Sequence, residues 1–114
     1  MQGAIVYTWT GTVPGRENAS KSLMEDSNAY GDKAVADGWA SDYAWYLSTQ
    51  GGTNVFIVRG EMDALMAHLG DPELLALNTR AGLINVDFRW GMYVTGDSAP
   101  LMAGMFYQTA SQLT

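Results

Sequence analysis

The sequence predicts a single α+β domain with elements in the order β-α-β-β-α-β, followed by a short helix. Three observations support this prediction. Apolar and polar residues alternate in four segments, as they do in half-buried strands. Two intervening segments repeat apolar residues at helical spacing. Gly and Pro residues mark the junctions between segments. A chain of 114 residues is long enough to bury one core but not two.

Four segments have the strand pattern. In the first, residues 3–11, Ile5, Tyr7 and Trp9 alternate with smaller or polar residues. The other three predicted strands cover residues 39–49, 54–60 and 84–95. Gln50, Gly51 and Gly52 predict a hairpin-like turn between the second and third strands, so these two should pair antiparallel.

The first helix is predicted over residues 16–36 and ends at Gly38. Its inward stripe contains Leu23 and Tyr30, and Ser27 and Gly31 fall on or near it, where bulky residues are normal. Small residues at such positions either let a strand approach closely or leave room for another molecule.

The second helical region begins at Glu61 and is interrupted at Gly70-Asp71-Pro72. Asp71 is a good N-cap and Pro72 a good first residue for a continuation to about Ala81, closed by Gly82. After Pro100, apolar residues recur at helical spacing and predict a short amphipathic helix. The predicted organisation is therefore a domain over residues 1–98 and a C-terminal helix over residues 99–114.

Composition narrows the possible partners and location. A net charge of −6 disfavours binding to nucleic acid, which requires Lys and Arg. The chain has no Cys, which excludes disulfides, thiolate metal sites and Cys nucleophiles. No segment reads as a secretion leader or as a membrane span, so we expect no membrane partner and a cytoplasmic location.

The predicted order places both helices on one face of the sheet. The other face must then carry aromatic or β-branched side chains, because every strand contains them. An exposed patch of that size is typical of an interface. We therefore expect a homodimer whose sheets face each other.

Two segments carry a family resemblance: VYTWTGTVPGREN and FIVRGEMDALMAHLGDPELLAL. They resemble the dimeric α/β-barrel superfamily of ferredoxin-like proteins, which includes antibiotic-biosynthesis-monooxygenase-like and stress-responsive members. The resemblance covers about residues 3–96 and is strongest to uncharacterised bacterial members. It implies a four-stranded antiparallel sheet in a dimeric α/β barrel. The superfamily contains several chemistries, so the fold does not fix the function.

The resemblance does not extend to haem or metal chemistry. Haem-degrading members carry an Asn, a Trp and a ligand His at positions that correspond here to Thr8, His68 and Asn78. None of the three matches, and an Asn at the ligand position is poorly suited to bind iron. His68 also lacks a second ligand at i, i+4 spacing. We expect no metal and no cofactor.

His68 and Asn78 are the candidate catalytic residues. His68 falls at the flank of its helix, where it is either a half-exposed surface residue or a proton donor or acceptor at a pocket entrance. Asn78 falls on the inward stripe of the next helix. It either bonds to backbone or orients a ligand, and cofactor-free oxygenases of the family hold phenolic substrates with Asn, Trp and Tyr.

Six further residues are candidates for ligand binding. They are polar or aromatic side chains on the predicted strands and the first helix: Thr8, Trp9, Tyr30, Tyr46, Arg59 and Trp90. Arg59 ends the third strand, and such an Arg requires a carboxylate. That carboxylate is Asp42, Asp87 or one on a ligand.

These observations predict a homodimer that binds a small apolar or aromatic molecule in a cavity between sheet and helices. Two alternatives stay open. One is a cofactor-independent monooxygenase-like enzyme acting on such a molecule. The other is a structural dimer whose aromatic residues serve only the core and the interface.

Overall fold

The computed structural model describes residues 1–113 and confirms the predicted α+β class and element order. The elements are β1 (Gln2–Trp9), β2 (Gly11–Thr12), α1 (Glu17–Ala36), β3 (Asp42–Tyr46), β4 (Asn54–Glu61), α2 (Met62–Ala67), α3 (Pro72–Ile84), β5 (Asn85–Val86), β6 (Arg89–Val94) and α4 (Ser98–Ser111). Thr114, part of the predicted C-terminal segment, lies outside the described residues.

The main sheet has four antiparallel strands in the order β3-β4-β1-β6. Ile5 on β1 pairs with Val58 on one side and Met92 on the other. Directly paired residues point to the same face of a sheet. Ile5 and Val58 form a buried cluster with Ala34 of α1 and Leu65 of α2, so the helices cover this face. We call it the helix face and the opposite one the outer face.

Local signals at the helix ends act as predicted. Gly38 adopts a φ of 83°, and its N–H donates to the Val35 carbonyl at 3.1 Å, which ends α1. Asp71 accepts a hydrogen bond from the Glu73 N–H at 3.4 Å, and Pro72 is the first residue of α3. The break between α2 and α3 is thus confirmed.

The predicted fourth strand, residues 84–95, is wrong at its start. α3 continues through Gly82 to Ile84, because Ile84 is buried against the other helical apolar residues. The next two residues form β5, which pairs with β2 in a separate two-stranded sheet. Asp87 then adopts a φ of 53°, a left-handed conformation that interrupts the strand. β6 therefore begins only at Arg89.

The first two predicted strands are also shorter than expected. β1 ends at Trp9, since the Thr10 N–H donates to the Val86 carbonyl at 3.0 Å and leaves the main sheet. β3 covers only Asp42–Tyr46. Beyond it, the Ser48 N–H donates to the Asn54 side chain at 2.9 Å. This side-chain bond replaces the next backbone hydrogen bond between β3 and β4.

The C-terminal helix is confirmed and begins at Ser98, two residues before Pro100. None of its residues is buried. Across residues 1–113, no helix combines the length and apolar character needed to span a bilayer.

Candidate functional site

A cavity of about 340 Å³ lies between the helix face of the sheet and helices α1 and α3. Its wall is rich in aromatic side chains, including Trp9, Trp45, Phe56 and Phe88. No residue of this wall is charged at neutral pH. Leu47 and Ser48, on the exposed loop after β3, also line the cavity, so its mouth opens there.

Small residues on α1 create this space and let the sheet approach. Ser20 and Ser27 line the cavity, where longer side chains would fill it. At Gly31, an added Cβ would lie only 2.7 Å from Cδ1 of Tyr43 on β3. Both interpretations of the small residues on α1 therefore apply, at different positions. Gly31 lets the Tyr43 ring pack closely, and Ser27 leaves space in the cavity.

The aromatic wall is held in place by ring contacts across the sheet. Trp45 and Phe56 stack with centroids 4.1 Å apart, and Trp9 meets Trp45 edge-on at 6.0 Å. The Trp45 Nε1–H donates to Asn28 Oδ1 at 2.7 Å, which fixes the indole against α1. These contacts hold the rings together as an apolar wall suited to packing against another aromatic ring.

Tyr7 places an unpaired hydroxyl in the cavity. Its side chain is only 6% exposed, and among residues 1–113 its hydroxyl has no hydrogen-bond partner of normal geometry. Burial raises the pKa of Tyr7 to about 12, and the nearby Asn78 amide offsets part of that increase. Asn78 also lines the cavity. Buried polar groups are normally satisfied, so this pair offers unused hydrogen-bonding capacity to a ligand.

Tyr30 links the cavity to the protein surface. It is buried in the cavity wall, and its hydroxyl donates to Asp71 Oδ2 at 2.5 Å. Burial raises the pKa of Tyr30 far above its ordinary value, and the hydrogen bond to Asp71 adds to the increase. The same hydrogen bond lowers the pKa of Asp71. The pair is therefore a neutral phenol bound to an ionised carboxylate.

His68 does not lie in this cavity. It follows α2, and its Nδ1–H donates to the Ala64 carbonyl at 2.9 Å. Its ring stacks on Trp39 at 4.2 Å with an interplanar angle of 8°. Trp39 lines the cavity on one side and a smaller surface pocket with His68 on the other. The two candidate catalytic residues, Asn78 and His68, thus line different pockets and are not brought together.

The candidate ligand-binding residues divide between the two faces of the sheet. Trp9 and Tyr30 line the cavity. Trp90 is on the helix face, with its ring 6.2 Å from Tyr7, but lies on the edge strand outside the cavity wall. The remaining three are on the outer face, because side chains alternate along a strand: Thr8, Tyr46 and Arg59.

Arg59 has a partner within the chain. Its Nη1–H donates to Asp42 Oδ1 at 3.1 Å, and its Nη2–H donates to the Tyr46 hydroxyl at 3.1 Å. These two bonds raise the pKa of Arg59 above its usual value. Of the carboxylates considered, the structure selects Asp42, which faces Arg59 across the β3–β4 pair.

Sequence reasoning omitted Tyr7 and Trp45 from the candidate site. The alternation that places Trp9 on the helix face applies equally to Tyr7, so the signal for Tyr7 was present. Trp45 depends on the register of β3 against β4, where it pairs with Phe56. No local pattern encodes that register.

No carboxylate and histidine cluster within residues 1–113 could hold a metal ion. The side chains that line the cavity could contact a ligand through aromatic faces, Ser hydroxyls and amides. Chemically, the site can bind a neutral molecule and exchange a hydrogen bond with one of its oxygen atoms.

No protein-family model and no curated protein sequence matches the chain. Solved structures do match. Rv0793 from Mycobacterium tuberculosis has a TM-score of 0.66 at 21% identity, covering 85% of this chain and 97% of that one. A variant of SnoaB, a cofactor-independent oxygenase from Streptomyces nogalater, has a TM-score of 0.64 at 16% identity, covering 82% and 92%.

A third match is a dimeric ferredoxin-like protein of unknown function from Jannaschia sp. CCS1. It has a TM-score of 0.66 at 7% identity and covers 83% of this chain and all of that one. Antibiotic biosynthesis monooxygenase-type structures are also among the matches. The chain therefore has the ferredoxin-like fold of this structural group, as its sequence motifs predict.

Proposed function

We propose that the protein binds a small neutral aromatic or apolar molecule in the cavity between the helix face of the sheet and α1 and α3. The observation that carries the proposal is an uncharged, aromatic-walled cavity with a buried, unpaired Tyr7 hydroxyl. Its volume of about 340 Å³ is at the lower end of the range for small-molecule sites. The Tyr7–Asn78 pair would orient a ligand oxygen, and the indoles would contact its ring.

Tryptophan fluorescence gives a direct test, because Trp9, Trp39 and Trp45 all line the cavity. Three probes with the same ring system should be compared: naphthalene, 2-naphthol and the 2-naphthoate anion. We expect quenching by the two neutral probes. Binding of the anion should be at least about tenfold weaker, since no cationic group compensates for its desolvation.

The matched variant is Tyr7→Phe, which removes only the hydroxyl. We expect the preference for 2-naphthol over naphthalene to fall by about fivefold, the effect of one hydrogen bond. Tyr93→Phe, at an exposed residue of β6, is the control and should leave that preference unchanged. Equal binding of the naphthoate anion, or an unaltered preference in Tyr7→Phe, would contradict the proposal.

An oxygenase activity on a phenolic molecule is the second candidate. It is favoured by Asn78, an inward amide in the same cavity as the indoles, and by a fold shared with a cofactor-independent oxygenase. An oxygen electrode with a panel of phenols tests it. We expect consumption that depends on Asn78 and is lost in Asn78→Ala. No consumption with any phenol that binds would leave a binding protein without turnover.

We further propose a homodimer formed through the outer face of the sheet. Val6, Val55 and Ile57 form an apolar, half-buried patch on this face, beside the Arg59–Asp42 ion pair. Two solved structures of the same fold are described as dimeric ferredoxin-like proteins.

A further inference from the structure

Helix α4 projects from the rest of the protein as an ordered arm. Its start is anchored to β1: the Gln2 N–H donates to Ser98 Oγ at 3.0 Å, and the Asp97 N–H donates to Gln2 Oε1 at 2.9 Å. Beyond this anchor no residue of the helix is buried. The radius of gyration is 16.0 Å, compared with about 13 Å for a compact chain of this length.

The arm has an apolar face that its own chain leaves uncovered. Helical spacing places four large side chains on this face, with exposed fractions between 52% and 68%: Leu101, Met102, Met105 and Phe106. An isolated helix of this length is only marginally stable in water. Its apolar face therefore requires a partner surface.

Charge and position favour a second copy of this chain as that partner. Residues 98–113 contain no charged side chain, so the arm meets no like charge on another copy of a chain with net charge −6. α4 follows β6, which is an edge strand of the main sheet. Its anchor Gln2 is on the same side of β1 as Val6 and Thr8, because side chains alternate along a strand. The Gln2 side chain that accepts from the Asp97 N–H thus lies on the outer face. The arm therefore begins beside the outer face, where the proposed dimer interface lies.

The buried area also fits an extension of that interface. The four apolar side chains expose roughly 450 Å² in total, at about 180 Å² for each whole side chain. A standard interface buries about 800 Å² on each partner. The arm alone falls short of this value, so it fits an extension of the outer-face interface rather than an interface by itself.

We infer that α4 is a dimerisation arm whose apolar face, Leu101, Met102, Met105 and Phe106, packs against a second copy of this chain. The inference rests on the proposed dimer. It does not depend on ligand binding in the cavity, which lies on the helix face of the sheet.

Sedimentation equilibrium on the full chain tests the inference. The test variant is Met105→Glu with Phe106→Glu, which places two charges on the apolar face. The control is Ala103→Glu with Gly104→Glu, adjacent exposed positions with the same added charge pointing away from that face. We expect the dimer dissociation constant to rise at least 100-fold in the test variant and less than threefold in the control.

Each outcome separates the arm from the other proposals. A test variant that dimerises as well as wild type overturns the inference and leaves the sheet-to-sheet dimer standing. A monomeric wild type overturns both. Flotation with neutral phosphatidylcholine vesicles is a further measurement. If monomeric wild type floats with the vesicles and the test variant does not, the apolar face of α4 binds a membrane and the inference is overturned. Naphthol binding is measured in parallel and should not change.

Discussion

Tyr7 is the residue at which packing and function can be separated. Its ring stacks between Phe56 and Phe88, with centroids 5.9 and 6.0 Å away, so a Phe would pack equally well there. Its hydroxyl is buried without a partner of normal geometry in the described part of the chain. Such a group costs about 1–3 kcal/mol of stability. Packing alone therefore does not account for a Tyr at this position, which is consistent with the proposed contact between its hydroxyl and a ligand.

The pKa of Tyr7 leads to a prediction about alkaline stability. The folded-state pKa of about 12 lies above the ordinary value of 10.0. Above pH 10 the unfolded chain loses this proton first, so the free energy of unfolding falls as pH rises from 10 to 12. The slope from one such group approaches about 1.4 kcal/mol per pH unit. Below pH 10 both states are protonated and this contribution is constant.

Urea unfolding of Tyr7→Phe between pH 8 and 11.5 tests this prediction. We expect the free energy of unfolding of Tyr7→Phe to fall less steeply above pH 10 than that of wild type. Tyr107→Phe, at an exposed residue, should retain the wild-type decline. Identical slopes for wild type and Tyr7→Phe would mean that the phenol ionises as easily in the folded protein as in the unfolded chain.

At the level of the elements, two glycines in helices have opposite roles. A Cβ at Gly31 in α1 would collide with the Tyr43 ring, whose nearest atom is 2.7 Å away. At Gly82 in α3 the nearest atom, Cδ2 of Phe88, is 3.9 Å away. We expect Gly31→Ala to destabilise the protein by about 1–3 kcal/mol through overpacking. Gly82→Ala should stabilise it by up to about 1 kcal/mol through helix propensity.

Thermal and urea unfolding of the two variants measure these effects. The Gly82 result also tests the helix boundary: a glycine that ended α3 in a left-handed conformation would make Ala destabilising there. Stabilisation by Gly31→Ala would show that β3 can move away from α1 without cost.

Local signals predicted most of the elements and fewer of their ends. Asp71, Pro72 and Gly38 act within one turn of a helix, so the break before α3 and the end of α1 are readable from sequence. The start of the fourth strand is not. It depends on the burial of Ile84 and on the pairing of β5 with β2, which are contacts between distant segments.

The candidate site was predictable only in part for the same reason. Periodicity placed Tyr30 and Asn78 on inward helical stripes, and both line the cavity. Strand alternation alone did not say which of its two faces meets the helices. Arg59 is therefore a candidate for the same site as Trp9, although the register of β4 against β1 places it on the outer face. Thr8 directly precedes Trp9, so alternation alone separates these two.

At the level of the whole molecule, the sheet separates two structural features. The helix face contains the uncharged cavity, and the outer face and α4 expose apolar surface to solvent. The principal extents of 52 × 33 × 24 Å describe an elongated shape. A second copy on the outer face would cover that surface without closing the cavity mouth at Leu47 and Ser48, because the cavity lies across the sheet.

This separation predicts that dimerisation and ligand binding can be uncoupled. Ile57 is at the centre of the outer face, paired with Val6 and Ala44. A carboxylate at this position would be buried and unpaired in the dimer, which is strongly unfavourable. Light scattering of Ile57→Asp should give a mass near the chain mass of 12.4 kDa, against twice that for wild type.

Leu83→Asp, on the exposed side of α3, is the control and should remain dimeric because Leu83 is not on the outer face. Naphthol affinity of Ile57→Asp should stay within about threefold of wild type, since burial of the ligand involves only the helix face. A folded Ile57→Asp monomer that no longer binds naphthol would show instead that the second copy shapes the cavity. A dimeric Ile57→Asp would show that the outer face is not the interface and would contradict the proposed dimer.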